Sequence, residues 1–445
     1  MSFAELISKY IYELKYENLP EEVIELAKAG IMDWLGVAVG GANHEGVLIL
    51  KDLIKESGGN QESTVIAQNM RTSAPWAALI NGTTAHVLDF DDTHEDSILH
   101  ATTPILSAAV SLGEKFYLSG RDLILSYICG FEISTRLGRA IMPSHFERGS
   151  HPTGTLGTIG AAVACSKLLG LTPTQIIHAL GIAATQAAGV REVFGTMCKS
   201  FHAGRAAQSG VLAASLAAKG FTSSERALDG GNGFFNVLSD RKGKINLVTD
   251  DLGDRFLIKQ NIFKAYASCL QVHAAIDCML KLRDSYDLKP ENVEKITAYV
   301  FHFAPDAAGI ENPKTGLEAK FSLKHCIALA LVKGAVRQSF FTDDIVNDPE
   351  LKKTRKKIEI EVDSDLIMTK ARMVVRMSSG IEYTVSVDGP KGSPMNPMTK
   401  NELIDKFTDL VGTAPKIKAH AVIDCINRLE FVEDIRNLMS LVINS

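Results

Sequence analysis

The stretch GTLGTIGAAVACSKLLG, residues 154–170, decides the fold class. Gly154, Gly157 and Gly160 recur every three residues, and a reader hunting nucleotide sites would stop there. A dinucleotide fingerprint, however, needs G-x-G-x-x-G directly after a strand, and no strand pattern precedes residue 154. The remaining reading is a buried helix whose small residues let a neighbouring backbone come close. The same texture recurs in ILSAAVSLGEKF (105–116), ALGIAATQAAGV (179–190) and AAQSGVLAASLAAKG (206–220). LPEEVIELAKAGIMDWLGVAVGG (19–41) adds Pro20, two glutamates in its first turn, apolar spacing of three and four, and a Gly-Gly stop. The spacing predicts a helical pattern from residue 3 to about 240.

Near residue 290 the texture changes. KITAYVFHF, KKIEIEVDSD, ARMVVRM and IEYTVSV are short, β-branched and partly alternating, as strands are. Ser378-Ser379-Gly380 makes a hairpin turn between the last two. FSLKHCIALALVKGAV and DPELKKTRKK, between the first two, read as helices. After the Gly/Pro-rich DGPKGSPMNPMT the helical pattern resumes at NELIDKFTDL. The expected architecture is mainly α. A large all-helical domain (1–265 plus 401–445) is built from both chain ends, and a smaller α/β lid domain (266–400) is inserted into it.

Composition narrows the function classes. The chain of 445 residues is 46% hydrophobic and 22% charged, with a net charge of -5. That suits a folded globular protein and gives no basic stripe for nucleic acid. MSFAELISKYIYELKY reads as an amphipathic helix rather than a signal peptide, and no apolar run has the length of a membrane span. Seven separated cysteines without a CxxC give no support for a zinc site or an iron–sulfur cluster. A reduced, cytoplasmic protein without metal is the expectation.

HVLDFDDTHEDSILH (86–100) carries five carboxylates and three histidines between stretches that read as buried helices. Burying carboxylates is costly, and crowding like charges pushes some pKa values up. Such a carboxylate near a histidine suits acid–base catalysis, with a solvated loop, a helix N-cap at Asp92 or Thr93, or a divalent-metal site as alternatives. Asp89, flanked by Val87, Leu88 and Phe90, fits the interior, whereas Glu95 and Asp96 fit the surface. HFERGSHPTGTLG (145–157) offers Arg148 and His151 ahead of one glycine-rich helix. FGTMCKSFHAGRAAQSG (194–210) offers Lys199, His202 and Arg205 at another, where an anion would be well received. Structural pairing accounts for His202 and Arg205, whereas Lys199 stands alone. Lys264, Cys269 and His273, in FKAYASCLQVHAAIDCML (263–280), fall where the two domains would meet. Taken alone, Cys269 reads as structural.

NGTTAHVLDFDDTH (81–94), HPTGTLGTIGAA (151–162), GTMCKSFHAGRAAQSGVLAA (195–214), KAYASC (264–269), EAKFSL (318–323) and GSPMNPMT (392–399) together resemble the MmgE/PrpD family over essentially the whole chain. The resemblance implies a helical domain with an α/β lid, a homodimer, and no cofactor. It also implies chemistry on small di- and tricarboxylates, as in 2-methylcitrate dehydratase, cis-aconitate decarboxylase and iminodisuccinate epimerase. By motif position, Asp89, Thr93, His100 and Lys199 match the family's catalytic residues. Arg148, His151, Lys264 and Cys269 match positions lining the substrate pocket. Ala101-Thr102-Thr103 follows His100 where many members have Pro-Ser. Phe146 stands where an epimerase would carry tyrosine, and Cys269 where the decarboxylases carry histidine. Lys264 lacks the arginine and proline often beside it, which counts against a tricarboxylate. The expectation is a lyase of the 2-methylcitrate dehydratase type, with a dicarboxylate epimerase as the alternative and a decarboxylase or a non-catalytic scaffold behind it.

Overall fold

The computed structural model describes residues 3–240, 244 and 246–443. It is mainly helical with one small mixed sheet in its C-terminal region. Glu21–Gly41 opens with Glu21 and Glu22 at its positive end and is buried on every side from Gly30 to Val39. It needs no amphipathic stripe because other helices surround it. Lys400–Val411 packs along it from the far end of the chain, and Lys406 there lies 2.6 Å from Asp33. One apolar core accordingly joins residues 3–258 with residues 407–442. A second core joins residues 267–387 to Val37, Leu79, Leu88 and Phe90.

The small-residue helices are the tightly packed ones. Ala74–His86 crosses Met197–Ala218 where Gly82 faces Gly204, and a Cβ on Gly204 would stand 2.1 Å from the Leu79 carbonyl oxygen. Pro152–Leu168 is buried throughout its first fifteen residues and lies against both Gly120–Ile141 and Met197–Ala218.

In the sheet the strand order is Ile358–Val362, Val293–Val300, Ala371–Met377, Glu382–Val387. The first pair is parallel and the other two are antiparallel. Val293, Ile296, Ala298 and Val300 alternate inward and meet Met373 and Val375 in the second core. The expected hairpin forms, with Gly380 at φ +86° in its turn.

Two expectations need correction. The region read as all-helical contains two short ladders, Ser63–Thr64 with Arg71–Thr72 and Thr93–His94 with Asn261–Ile262. The second ties the acidic segment to the residues just before Lys264. The helix expected over 179–190 ends at Ala184. Beyond it the chain is extended at Val190, which bridges Ser150, and Gly189 adopts φ +149° beside His151 and His202, a conformation open to glycine.

Candidate active site

Helix Ala74–His86 delivers the acidic segment into the interior, and Asp89, Asp91 and Asp92 are all buried. Neither capping nor solvation explains the segment, since the next helix starts only at Thr102. The three aspartates meet three different sets of partners. Asp89 turns in the left-handed region at φ +51°. Its Oδ1 lies 2.5 Å from Lys199 Nζ and its Oδ2 lies 3.4 Å from Lys264 Nζ. Lys264 also donates to the Asp89 carbonyl oxygen at 3.0 Å. Asp91 takes His86 Nδ1 at 2.8 Å and the Thr103 hydroxyl at 2.7 Å. Asp92 accepts from Thr102 and from the Asn261 amide, the latter at 2.5 Å.

Those partners set the charges. Burial alone would raise the Asp89 carboxyl, yet Lys199 and Lys264 hold it well below the usual range. Asp91 is also held low against its burial, by His86 and His100, whose ring N–H groups face it. Asp92 has only neutral donors and a like charge in Asp33, so burial pushes it up to about 8 and it keeps its proton at neutral pH. Burial and crowding therefore raise Asp92 but not Asp89, where two ammonium groups outweigh desolvation. His86 is brought down to about 4 by burial, so it is neutral and donates Nδ1–H to Asp91.

Beside this cluster lies a cavity that, with the solvent at its mouth included, spans about 490 Å³. Of the residues singled out in the sequence, Asp89, Thr93, His100, Lys199, His151, Lys264 and Cys269 all line it. Arg148 does not. Its side chain is about half exposed and its guanidinium lies 2.5 Å from Asp240 Oδ1. His100 Nδ1 stands 2.9 Å from the Asp92 carbonyl oxygen, which can only accept, so Nδ1 carries the proton. Its Nε2 lies 4.0 Å from Asp89 Oδ1. Lys199 sits over the rings of Phe194 and Phe321, at 5.4 Å and 5.1 Å from their centroids. Burial pushes the Cys269 thiol up, with Asp89 nearby adding to the effect, so it is no nucleophile at neutral pH.

Sequence reasoning missed some of the lining. Glu95, expected on the surface, faces the cavity and accepts from Thr369 at 3.0 Å, and burial raises its carboxyl. Gln271 lies two positions past Cys269, a spacing that was available in the sequence. Lys320 within EAKFSL acts behind the cavity, donating to the carbonyls of Leu88 and Ala267, and burial lowers it to about 7. It braces the turn that presents Asp89. Ligand atoms of His86, Asp89 and His100 lie within 4.8 Å of one another, as in a metal site. Both Asp89 oxygens already face ammonium groups, so the donor set is a poor fit for a divalent cation.

No helix among the described residues is long and apolar enough to cross a membrane. The chain is similar to cis-aconitate decarboxylase of Homo sapiens, with 28% identity over 464 residues covering 99% of this chain and 94% of that protein. It is 27% identical to cis-aconitate decarboxylase of Aspergillus terreus, covering 98% of this chain and 95% of that one. The MmgE/PrpD N-terminal domain model matches residues 5–245 and the C-terminal domain model residues 266–430, and the chain belongs to the MmgE/PrpD family.

Proposed function

We propose that the protein is a cofactor-independent lyase that eliminates water from a small hydroxy di- or tricarboxylate, in the manner of a 2-methylcitrate dehydratase. The observation that carries this reading is Asp89 held between Lys199 and Lys264 at the wall of the cavity, with His100 Nε2 alongside. An ammonium has three donors, and Lys199 spends one on Asp89. The other donors receive a substrate carboxylate.

His100 Nε2 takes the proton from the carbon beside that carboxylate, and the electron pair moves into the carboxylate as an enediolate. Lys199 and Lys264 stabilise the added negative charge where it develops. The electron pair then returns to form the double bond as the hydroxyl on the adjacent carbon takes the proton from the His100 imidazolium and leaves as water. Asp89, held well below the usual range, is a poor proton acceptor. Its part is to fix the lysines and to stabilise the His100 imidazolium. Thr93 and His151 orient the substrate from the remaining wall.

A second reading has a specific observation behind it, since the similar proteins named above are cis-aconitate decarboxylases. Loss of CO₂ from cis-aconitate likewise leaves negative charge that must be delocalised into a remaining carboxylate, so the lysines would serve there too. Cys269, where the resemblance places a histidine in decarboxylases, counts against it. The test is proton NMR in deuterated buffer with 2-methylcitrate, citrate, cis-aconitate and iminodisuccinate, with evolved CO₂ followed in parallel. A new olefin without CO₂ supports the hydro-lyase, and CO₂ release moves the protein to the decarboxylases. Deuterium entering recovered substrate without an olefin means an epimerase. No change in any of the four overturns the proposal.

A further inference from the structure

His151 lines the cavity and is buried, while His202 on the helix Met197–Ala218 is partly exposed. Their Nδ1 atoms lie 2.9 Å apart. The space for this pair is built by two glycines. A Cβ on Gly189 would meet His202 Nδ1 at 3.2 Å and His151 Cβ at 3.4 Å, and one on Gly154 would meet His202 Cβ at 3.3 Å. The Gly189 carbonyl oxygen also accepts from the His151 backbone N–H at 3.0 Å.

Two imidazole nitrogens at that distance must share one proton, so one ring donates and the other accepts. Burial and the nearby Lys199 keep both rings below the usual histidine range, so the resting pair is neutral. Two arrangements are then possible. If His202 Nδ1–H donates, His151 carries its proton on Nε2 and is an acid toward the cavity. If His151 Nδ1–H donates, its Nε2 offers a lone pair and is a base.

We propose that His151 and His202 form a proton relay between the cavity and the solvent side of the helix Met197–Ala218. In one passage, His151 Nε2–H gives its proton to the cavity and His151 Nδ1 takes the proton of His202 Nδ1. His202 Nε2 then takes a proton from water. One proton has crossed and the pair has changed from the acid to the base arrangement, and the reverse passage restores it. His202 acts through His151 and is a positioning residue. Its use in turnover rests on the lyase reading above, whereas the shared proton does not.

Two measurements test this. First, histidine-¹⁵N two-bond correlation spectra of the wild-type protein should show one of the two Nδ1 atoms protonated and the other bare. Both Nδ1 atoms bare would overturn the relay whatever the substrate is. Second, His202→Ala should lower kcat roughly 10- to 100-fold, with recovery on adding free imidazole. His202→Asn, which can hydrogen-bond to His151 but cannot pass a proton, should remain slow. Full activity in His202→Asn would show a merely structural contact and overturn the proposal. If the wild type is silent on every carboxylate tested, the lyase reading fails, and the spectra alone decide the relay.

Discussion

Asp89 is the residue on which the account turns, because its charge is set by neighbours far away in the chain. Lys199 and Lys264 reach it across 110 and 175 positions. Removing the anion strands two ammonium groups in the interior. Asp89→Asn should therefore cost roughly 3 kcal/mol of stability, read as a lower urea midpoint with an unchanged slope. An unaltered midpoint would mean the three groups do not interact as described. The sequence showed which residues carry chemistry here, because charged side chains in apolar surroundings stand out. It did not show their pKa directions. Asp33 and Lys406 meet only in the fold, and Asp33 is part of what separates Asp92 from Asp89. Arg148 illustrates the opposite error. It stands three positions before His151, yet the turn at residues 144–147 sends it toward Asp240 instead of the cavity.

Two helices hold the opposing halves of the site. Ala74–His86 leads into Asp89, and Met197–Ala218 carries Lys199 in its first turn. Their spacing is fixed where Gly82 meets Gly204, a crossing that tolerates no side chain. Gly204→Val should push the helices apart, costing roughly 2–3 kcal/mol by overpacking. It should also reduce turnover more than its stability loss explains. Thermal unfolding and kcat measured together check this, and a variant of full activity would contradict it. This packing was legible, since small residues every three or four positions announce close backbones. The ladder of Thr93–His94 with Asn261–Ile262 was not, because two-residue strands leave no alternating pattern to read. The stop at Ala184 was equally hidden, since alanine and glycine continue past it without a change in texture.

Across the whole molecule, burial of imidazoles gives stability a defined pH dependence. His44, His86, His94, His145, His151, His202, His273 and His325 are all lowered, each with burial as the largest cause. Below about 6.5 the unfolded chain takes up protons that these folded rings refuse, so acidification favours unfolding. Six carboxyls raised by burial, Asp33, Asp92, Glu95, Glu114, Glu132 and Asp277, have the opposite sign and gain protons in the folded state first. Lys320, lowered to about 7 by burial, also gains its proton in the folded state and opposes the histidines. The unfolded histidines are nevertheless the groups that titrate together between pH 7 and pH 5.5, so the net effect is a loss. The melting temperature should be lower at pH 5.5 than at pH 7, and a higher value would contradict this balance. The helical pattern that returns after residue 400 belongs to elements whose residues 407–442 share an apolar core with residues 3–258.

In the proposed reaction Lys199 holds the carboxylate beside which a bond is broken. The most direct test is turnover of the four-substrate panel by wild type and Lys199→Ala, each shown to be folded. The wild type should form an olefin, and kcat should fall roughly 100- to 1,000-fold in the variant. Turnover by Lys199→Ala within a few-fold of wild type would contradict it.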